Sequence, residues 1–142
     1  MAKVMTDEER RAFLSAGTRT GVLSTVREDG RPHAAPIWFV LDGDTVVFTT
    51  GRETVKGRNL RRSGQAALTV DEAIPPFAFV TITGHVEISA DLGAMLDWAT
   101  KIGGRYMGVA NAEEFGRRNA VPEELLARLI PEEIVARSAI AD

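Results

Sequence analysis

The sequence predicts a mainly β, α+β domain: an antiparallel sandwich or barrel with helices at its periphery. Two Asp-Gly pairs, Asp29-Gly30 and Asp42-Gly43, punctuate three consecutive apolar runs, and Asp-Gly supplies the positive-φ positions that tight hairpin turns need. Residues 77–89, FAFVTITGHVEIS, form a long β-rich stretch. Residues 91–106 place Leu92, Met95, Leu96, Ala99, Ile102 and Tyr106 at helical spacing, the clearest helix of the chain. A length of 142 residues suits a single domain spanning 1–142. With 44% hydrophobic and 26% charged residues the chain can bury a core without staples.

In chain order, Thr6-Asp7-Glu8-Glu9 is a capping box. The helix it opens is expected to bury Ala12, Phe13 and Ala16 and to end at Gly17. Residues 20–26, 33–41 and 45–50 read as three strands of an antiparallel meander. Pro36 lies within the second strand, where a missing N–H places it at an edge or bulge, so that strand is expected to break nearby. Ile37, Trp38 and Phe39 follow, either as one wall of a flat-ligand pocket or as core aromatics of an edge strand. A helix over 54–63 ends at Gly64, and 66–70 is a fourth strand. Asp71 and Glu72 fall in a loop closed by Pro75-Pro76. The strand over 77–89 carries a bulge or bend at Gly84. Its first half is apolar on both faces, which suggests cover by a second subunit. Gly103-Gly104 weaken the helix over 91–106, a shorter helix spans 112–119, and two short strands, 125–130 and 134–139, flank a turn at Pro131-Glu132-Glu133.

The stretch VVFTTGRETVKGRNLRR, residues 46–62, carries the strongest chemical signal. A strand passes through Thr49, Thr50 and Gly51 into a helix bearing Arg52, Lys56, Arg58, Arg61 and Arg62. Free N–H groups and the positive end of the dipole at a helix start favour an anion. Hydroxyls of Thr49, Thr50 and Thr54 could assist, and Arg52 and Lys56 would share a face of a helix begun at 52. The alternative is a solvated basic helix, and the glycine-lysine spacing of a Walker loop is missing. A net charge of −3 makes the basic cluster local, which suits a small anion better than nucleic acid. No cysteine is present, which removes disulfides and thiolate chemistry. His33 and His85 are isolated and expected at the surface, so no metal site is expected. Glu113 with Arg117 and Glu114 with Arg118 are helical i,i+4 pairs. No run reaches the ~20 apolar residues of a membrane span, and MAKVMTDEERRAF is no signal peptide, so a cytoplasmic location is expected.

The order of motifs, DGRPHAAPIWF, FTTGRETVKGRNLRR, PPFAFVTITGHVEI and a helix carrying RYMG, resembles the pyridoxamine-phosphate-oxidase-like split β-barrel proteins. Within them it is most similar to the actinobacterial branch that uses the deazaflavin coenzyme F420. The resemblance covers essentially the whole chain. It implies a split antiparallel β-barrel of the FMN-binding-protein type and a homodimer with the cofactor in a groove between subunits. It further implies that Thr49, Thr50, Thr54, Lys56 and Arg58 hold the cofactor phosphate, that Pro36, Ile37 and Trp38 run along the tricyclic ring, and that Phe77 and Phe79 reach the ring from the second subunit. Two departures stand out. No histidine follows His85, so the substrate-holding arginine and histidine of the vitamin B6 oxidases are not matched and that oxidation is not expected. Val55 stands where a second basic residue precedes the lysine.

The implied activity is hydride transfer from reduced coenzyme F420 to a conjugated small molecule such as an enone or quinone, with no side-chain catalyst; Tyr106 is expected to serve packing. An FMN-binding oxidoreductase of the same fold and a non-catalytic flavin- or deazaflavin-binding module are the alternatives. Neither nucleic acid nor membrane is an expected partner.

Overall fold

The computed structural model describes residues 1–142. Its elements are β1 (Lys3–Val4), α1 (Asp7–Ser15), β2 (Gly21–Val26), β3 (Pro32–Ile37), β4 (Val40–Asp42), β5 (Thr45–Gly51), α2 (Val55–Ser63), β6 (Gln65–Glu72), β7 (Ala78–Ser89), α3 (Leu92–Met107), α4 (Val109–Asn119) and β8 (Glu124–Ser138). One antiparallel sheet runs in the order β3-β2-β6-β7-β8-β5-β4, with β1 on β8. Its two end strands, β3 and β4, are consecutive in sequence and joined only by Trp38 and Phe39. The sheet therefore curls until its ends meet at a covalent corner that carries no ladder between them. This is the split β-barrel, an α+β fold with four peripheral helices.

The expected meander is corrected by that corner. The strand expected over 33–41 breaks at Trp38–Phe39; β3 pairs with β2, β4 with β5, and the two halves part to opposite ends of the sheet. Pro36 does lie on an edge strand, where no ladder hydrogen bond is lost.

Inside the barrel, Leu23, Phe39, Val46, Phe48, Leu68, Val80, Ile82 and Leu129 pack with Leu14 of α1 and Leu60 of α2. Outside it, Val47, Met95 and Leu126 form a second cluster, where α3 covers β5 and β8. That cover explains why Val46, Val47 and Phe48 are all buried in succession.

Thr6 caps α1 as expected, accepting the Glu9 N–H while Glu9 accepts the Thr6 N–H. The buried face of α1 is Arg10 and Leu14, however, with Phe13 half-buried and Ala12 and Ala16 exposed. Arg10 is held by Asp7 and Asp44 at 2.9 Å each. The helix closes at Ala16, one residue before the positive-φ Gly17.

The two C-terminal strands are one strand of 15 residues, β8, paired along its length with β7. The register slips between Thr83/Gly84, where Thr83 faces Glu133 and Gly84 faces Pro131, so Glu132 is the extra residue and the bulge is on β8. Gly84 is its partner: a Cβ there would stand 1.9 Å from the Ile130 carbonyl oxygen. Proline in β8 is tolerated because the bulge interrupts the ladder beside it. Asp71 and Glu72 lie within β6, and Glu72 bonds Arg19 at 3.2 Å. Gly103 does not weaken α3. It lets Phe115 lie against it, while Gly116 admits Thr100, so α3 and α4 form a close hairpin. On α4 the Glu113–Arg117 pair forms at 3.8 Å, whereas Arg118 turns toward the Phe115 ring.

Candidate functional site

A cleft of about 320 Å³ opens beside the Trp38–Phe39 corner, between β3, the end of β5, the start of α2 and the α3–α4 hairpin. Six of the expected site residues meet in it: Pro36, Ile37, Trp38, Thr49, Thr50 and Lys56. They are joined by Gly51, Ile102, Phe115, Asn119 and Glu124, which the sequence reading did not single out.

The aromatic wall is built by stacking. Trp38 lies parallel to Tyr106 with ring centroids 4.8 Å apart, and Phe115 approaches at 5.8 Å. Trp38 remains 40% exposed, so one part of its surface is free for a ligand. Two residues of α3 hold the corner behind it. The Tyr106 hydroxyl accepts the Phe39 N–H at 3.2 Å and donates to the Arg19 carbonyl at 2.6 Å. The Arg105 guanidinium donates to the Phe39, Leu14 and Gly17 carbonyls at 2.7, 2.7 and 2.9 Å. Tyr106 is thus a positioning residue. Burial pushes its hydroxyl above the usual tyrosine range, partly offset by the Phe39 N–H and the Arg105 cation.

The residues expected to seat an anion line the same cleft where β5 leads into α2. Thr54 caps α2: its hydroxyl accepts the Gly57 N–H at 3.0 Å and donates to the Gly51 carbonyl at 2.8 Å. The Thr54 hydroxyl is therefore committed to the helix and does not line the cleft. The cap and its carbonyl take the N–H groups of Gly57 and Arg58, and the first amides of a helix are in general the ones open to an outside acceptor. Gly57 permits the tight β5–α2 junction, since a Cβ there would stand 2.1 Å from the Gly51 carbonyl oxygen. The Thr50 hydroxyl is buried with no hydrogen-bond partner, and so is one carboxylate oxygen of Glu124. Lys56 takes part in no ion pair; burial pulls its ammonium below the usual lysine range, against the opposing field of Glu124. Burial likewise pushes the Glu124 carboxyl up, with Lys56 pulling it back. Both groups thus move toward neutrality, as in a pair too far apart to offset the loss of water. An orphaned hydroxyl and a lysine outside any ion pair, beside the start of α2, fit an anionic group of a cofactor.

The rest of the basic segment is arranged differently from expectation. α2 begins at Val55, so Arg52 sits in the preceding turn and does not share a helical face with Lys56; its N–H bonds the Glu123 carbonyl. Arg58 and Arg61 reach Glu53, and Arg62 bonds Val26 and Asn59. Arg58 faces a separate groove of about 410 Å³ shared with Arg27 and Arg62. Phe77 and Phe79 lie outside the cleft of their own chain. Phe79 pairs with Arg137, thirteen residues along β8 from Glu124, roughly 40 Å of strand. Phe77 has φ of 69° and is 38% exposed. His33 is half-buried rather than exposed, with an unpartnered Nδ1, and His85 sits 3.5 Å from Glu132 on the solvent side. No helix is long and apolar enough to cross a membrane.

The family model described as pyridoxamine 5'-phosphate oxidase matches residues 6–136. The chain belongs to that family. Solved structures agree on the fold. A conserved hypothetical protein from Mycobacterium tuberculosis superposes with a TM-score of 0.84 at 22% identity, covering 96% of this chain and 86% of that one. An F420 reductase matches with a TM-score of 0.67 at 26% identity, over 87% of this chain and 94% of the other. A FAD-binding protein from Mesorhizobium loti matches with a TM-score of 0.69 at 18% identity, over 96% of both.

Proposed function

We propose that this family member binds coenzyme F420 in the cleft and acts as an oxidoreductase that reduces conjugated small molecules such as enones or quinones. One observation carries the reading: a partly exposed Trp38 wall ends at a recess holding Lys56 without a counterion and Thr50 without a hydrogen-bond partner. A flat ring with an anionic tail needs both, at opposite ends of one cleft. When bound and reduced, the deazaflavin supplies the hydride. The protein's own part is to hold the ring against Trp38, seat the phosphate at Lys56, Thr50 and the α2 amides, and keep water from the ring face. Likeness to an F420 reductase supports the cofactor choice. Likeness to a FAD-binding protein favours a second reading, in which an ordinary flavin occupies the same cleft.

The working form is a homodimer in this proposal. The cleft is open on one side, and Phe79 on the outer face of β7, with Phe77 just before that strand, lies too far along the sheet to close it within one chain. A second copy can bring them over the ring. Fluorescence titration with coenzyme F420, with FMN in parallel, tests the function. Saturable micromolar binding of the deazaflavin, followed by acceptor-dependent oxidation of its reduced form, is expected. A protein that is yellow as purified and prefers FMN would favour the flavin reading, and binding of neither would refute both.

A further inference from the structure

Two ionisable side chains line the cleft, Lys56 and Glu124, and they carry opposite charges. Glu124 is placed there by the ladder: it pairs with Gly51, the last residue of β5. Its Oε2 would stand 3.8 Å from a Cβ at Gly51, over the strand end that offers Thr50. That oxygen and the Thr50 hydroxyl are both buried and both without partners. A seat built for a doubly charged phosphate would surround it with donors and cations; this one adds a carboxylate to the cleft that holds its single lysine.

We propose that Glu124 tunes the seat to a singly charged phosphodiester, and so selects a phosphodiester-linked deazaflavin over a flavin that ends in a phosphomonoester. The proposal rests on the cofactor reading given above. The charge count is simple. Lys56 contributes one positive charge, the α2 N-terminus about half of one, and the Glu124 carboxylate one negative charge, leaving roughly +0.5. The F420 phosphate is esterified on both sides, to ribityl and lactyl groups, and carries one negative charge, which leaves about half a unit of negative charge in the seat. The FMN phosphate is esterified once and carries about −1.5 to −2 at pH 7. It leaves an excess negative charge in a recess where water screens poorly.

The test is a matrix of fluorescence titrations at pH 7.5, with coenzyme F420 and FMN against the wild-type protein, Glu124→Gln and Lys56→Gln. Thermal melts check that each variant is folded. The amide keeps the shape of Glu124 and removes its charge. Glu124→Gln should tighten FMN about tenfold and F420 about three- to fivefold, so that the FMN-to-F420 affinity ratio rises roughly two- to threefold. Lys56→Gln should move the preference the other way, weakening FMN more than F420. Wild-type binding of F420 with an unchanged FMN-to-F420 ratio in Glu124→Gln would overturn the role of Glu124 and leave the cofactor reading intact. A wild-type protein that binds neither coenzyme would overturn both.

Discussion

Replacing Arg105 by alanine should unlock the corner that forms the aromatic wall. The guanidinium donates to the backbone carbonyls of Phe39, Leu14 and Gly17, with a longer contact to that of Ala16 at 3.4 Å, and stacks 4.8 Å and 4.9 Å from the Phe39 and Tyr106 rings. A hydrogen bond to a charged group contributes about 1.5–3 kcal/mol when partly shielded. The Gly17 carbonyl is exposed, so water can replace its bond at little cost. The Phe39 carbonyl also lies 3.2 Å from the Tyr106 hydroxyl, so it is not wholly orphaned. One full bond, part of a second and about 0.5 kcal/mol of cation–π attraction sum to about 2.5 kcal/mol, discounting for burial of the cation itself. For a chain of 142 residues, an unfolding entropy of about 0.3 kcal/mol/K converts this to a fall in Tm of about 8 °C. Urea unfolding and calorimetry measure it, and binding by the folded variant should weaken because Trp38 loses its fixed backing. Arg105→Lys should recover less than half, since an ammonium cannot span three carbonyls. A loss under 1 kcal/mol, or full recovery with lysine, would refute the keystone role.

Lys56→Ala should weaken F420 binding by about 1–3 kcal/mol, roughly 5- to 150-fold in Kd, without lowering Tm; unchanged affinity in a titration would move the phosphate elsewhere. Phe79→Arg should break the dimer in sedimentation or abolish binding, and a folded monomer with normal affinity would sink the shared-groove proposal. Asp44, held at about 2 first by Arg11 and then by Arg10, has a depressed folded pKa, so its contribution is complete above the ordinary carboxylate pKa and is lost as pH falls toward 2. Its side chain is 42% exposed, which cuts the linkage to about 1 kcal/mol; Asp44→Asn should show that much less acid sensitivity in denaturation between pH 5 and 2. Gly84→Ala forces a Cβ against the Ile130 carbonyl and should cost about 2–3 kcal/mol in urea unfolding.

Local signals were legible in the sequence because local chemistry decides them. The capping box at Thr6, the Asp-Gly turns, the end of α2 at Gly64 and the periodic helix α3 all stand near where the residues put them, whereas Thr54, expected to meet an anion, caps α2 instead. What escaped depends on partners distant in sequence. Nothing in HAAPIWFVL says that its two halves go to opposite ends of the sheet; that follows from barrel closure. Pro131 looked like a turn because its compensating bulge is visible only once Gly84 is opposite. The candidate site was read in the same uneven way. Lys56 and Thr50 were found from the strand-to-helix junction, but Glu124 lies about seventy residues later and reaches them only through the β5–β8 ladder. Arg105 and Phe115 looked like ordinary helix residues, and no local pattern marks a guanidinium that will hold three remote carbonyls.

The Trp38–Phe39 corner has a consequence for redesign. The two residues join the sheet's ends, Phe39 filling the core and Trp38 lining the cleft, so a substitution there changes the cleft wall and the barrel's closure together. Ile102 and Phe115 line the same cleft from helices that stand outside the barrel ladder. A library meant to alter what this cleft binds should therefore vary those helical positions and leave the hinge of the barrel untouched.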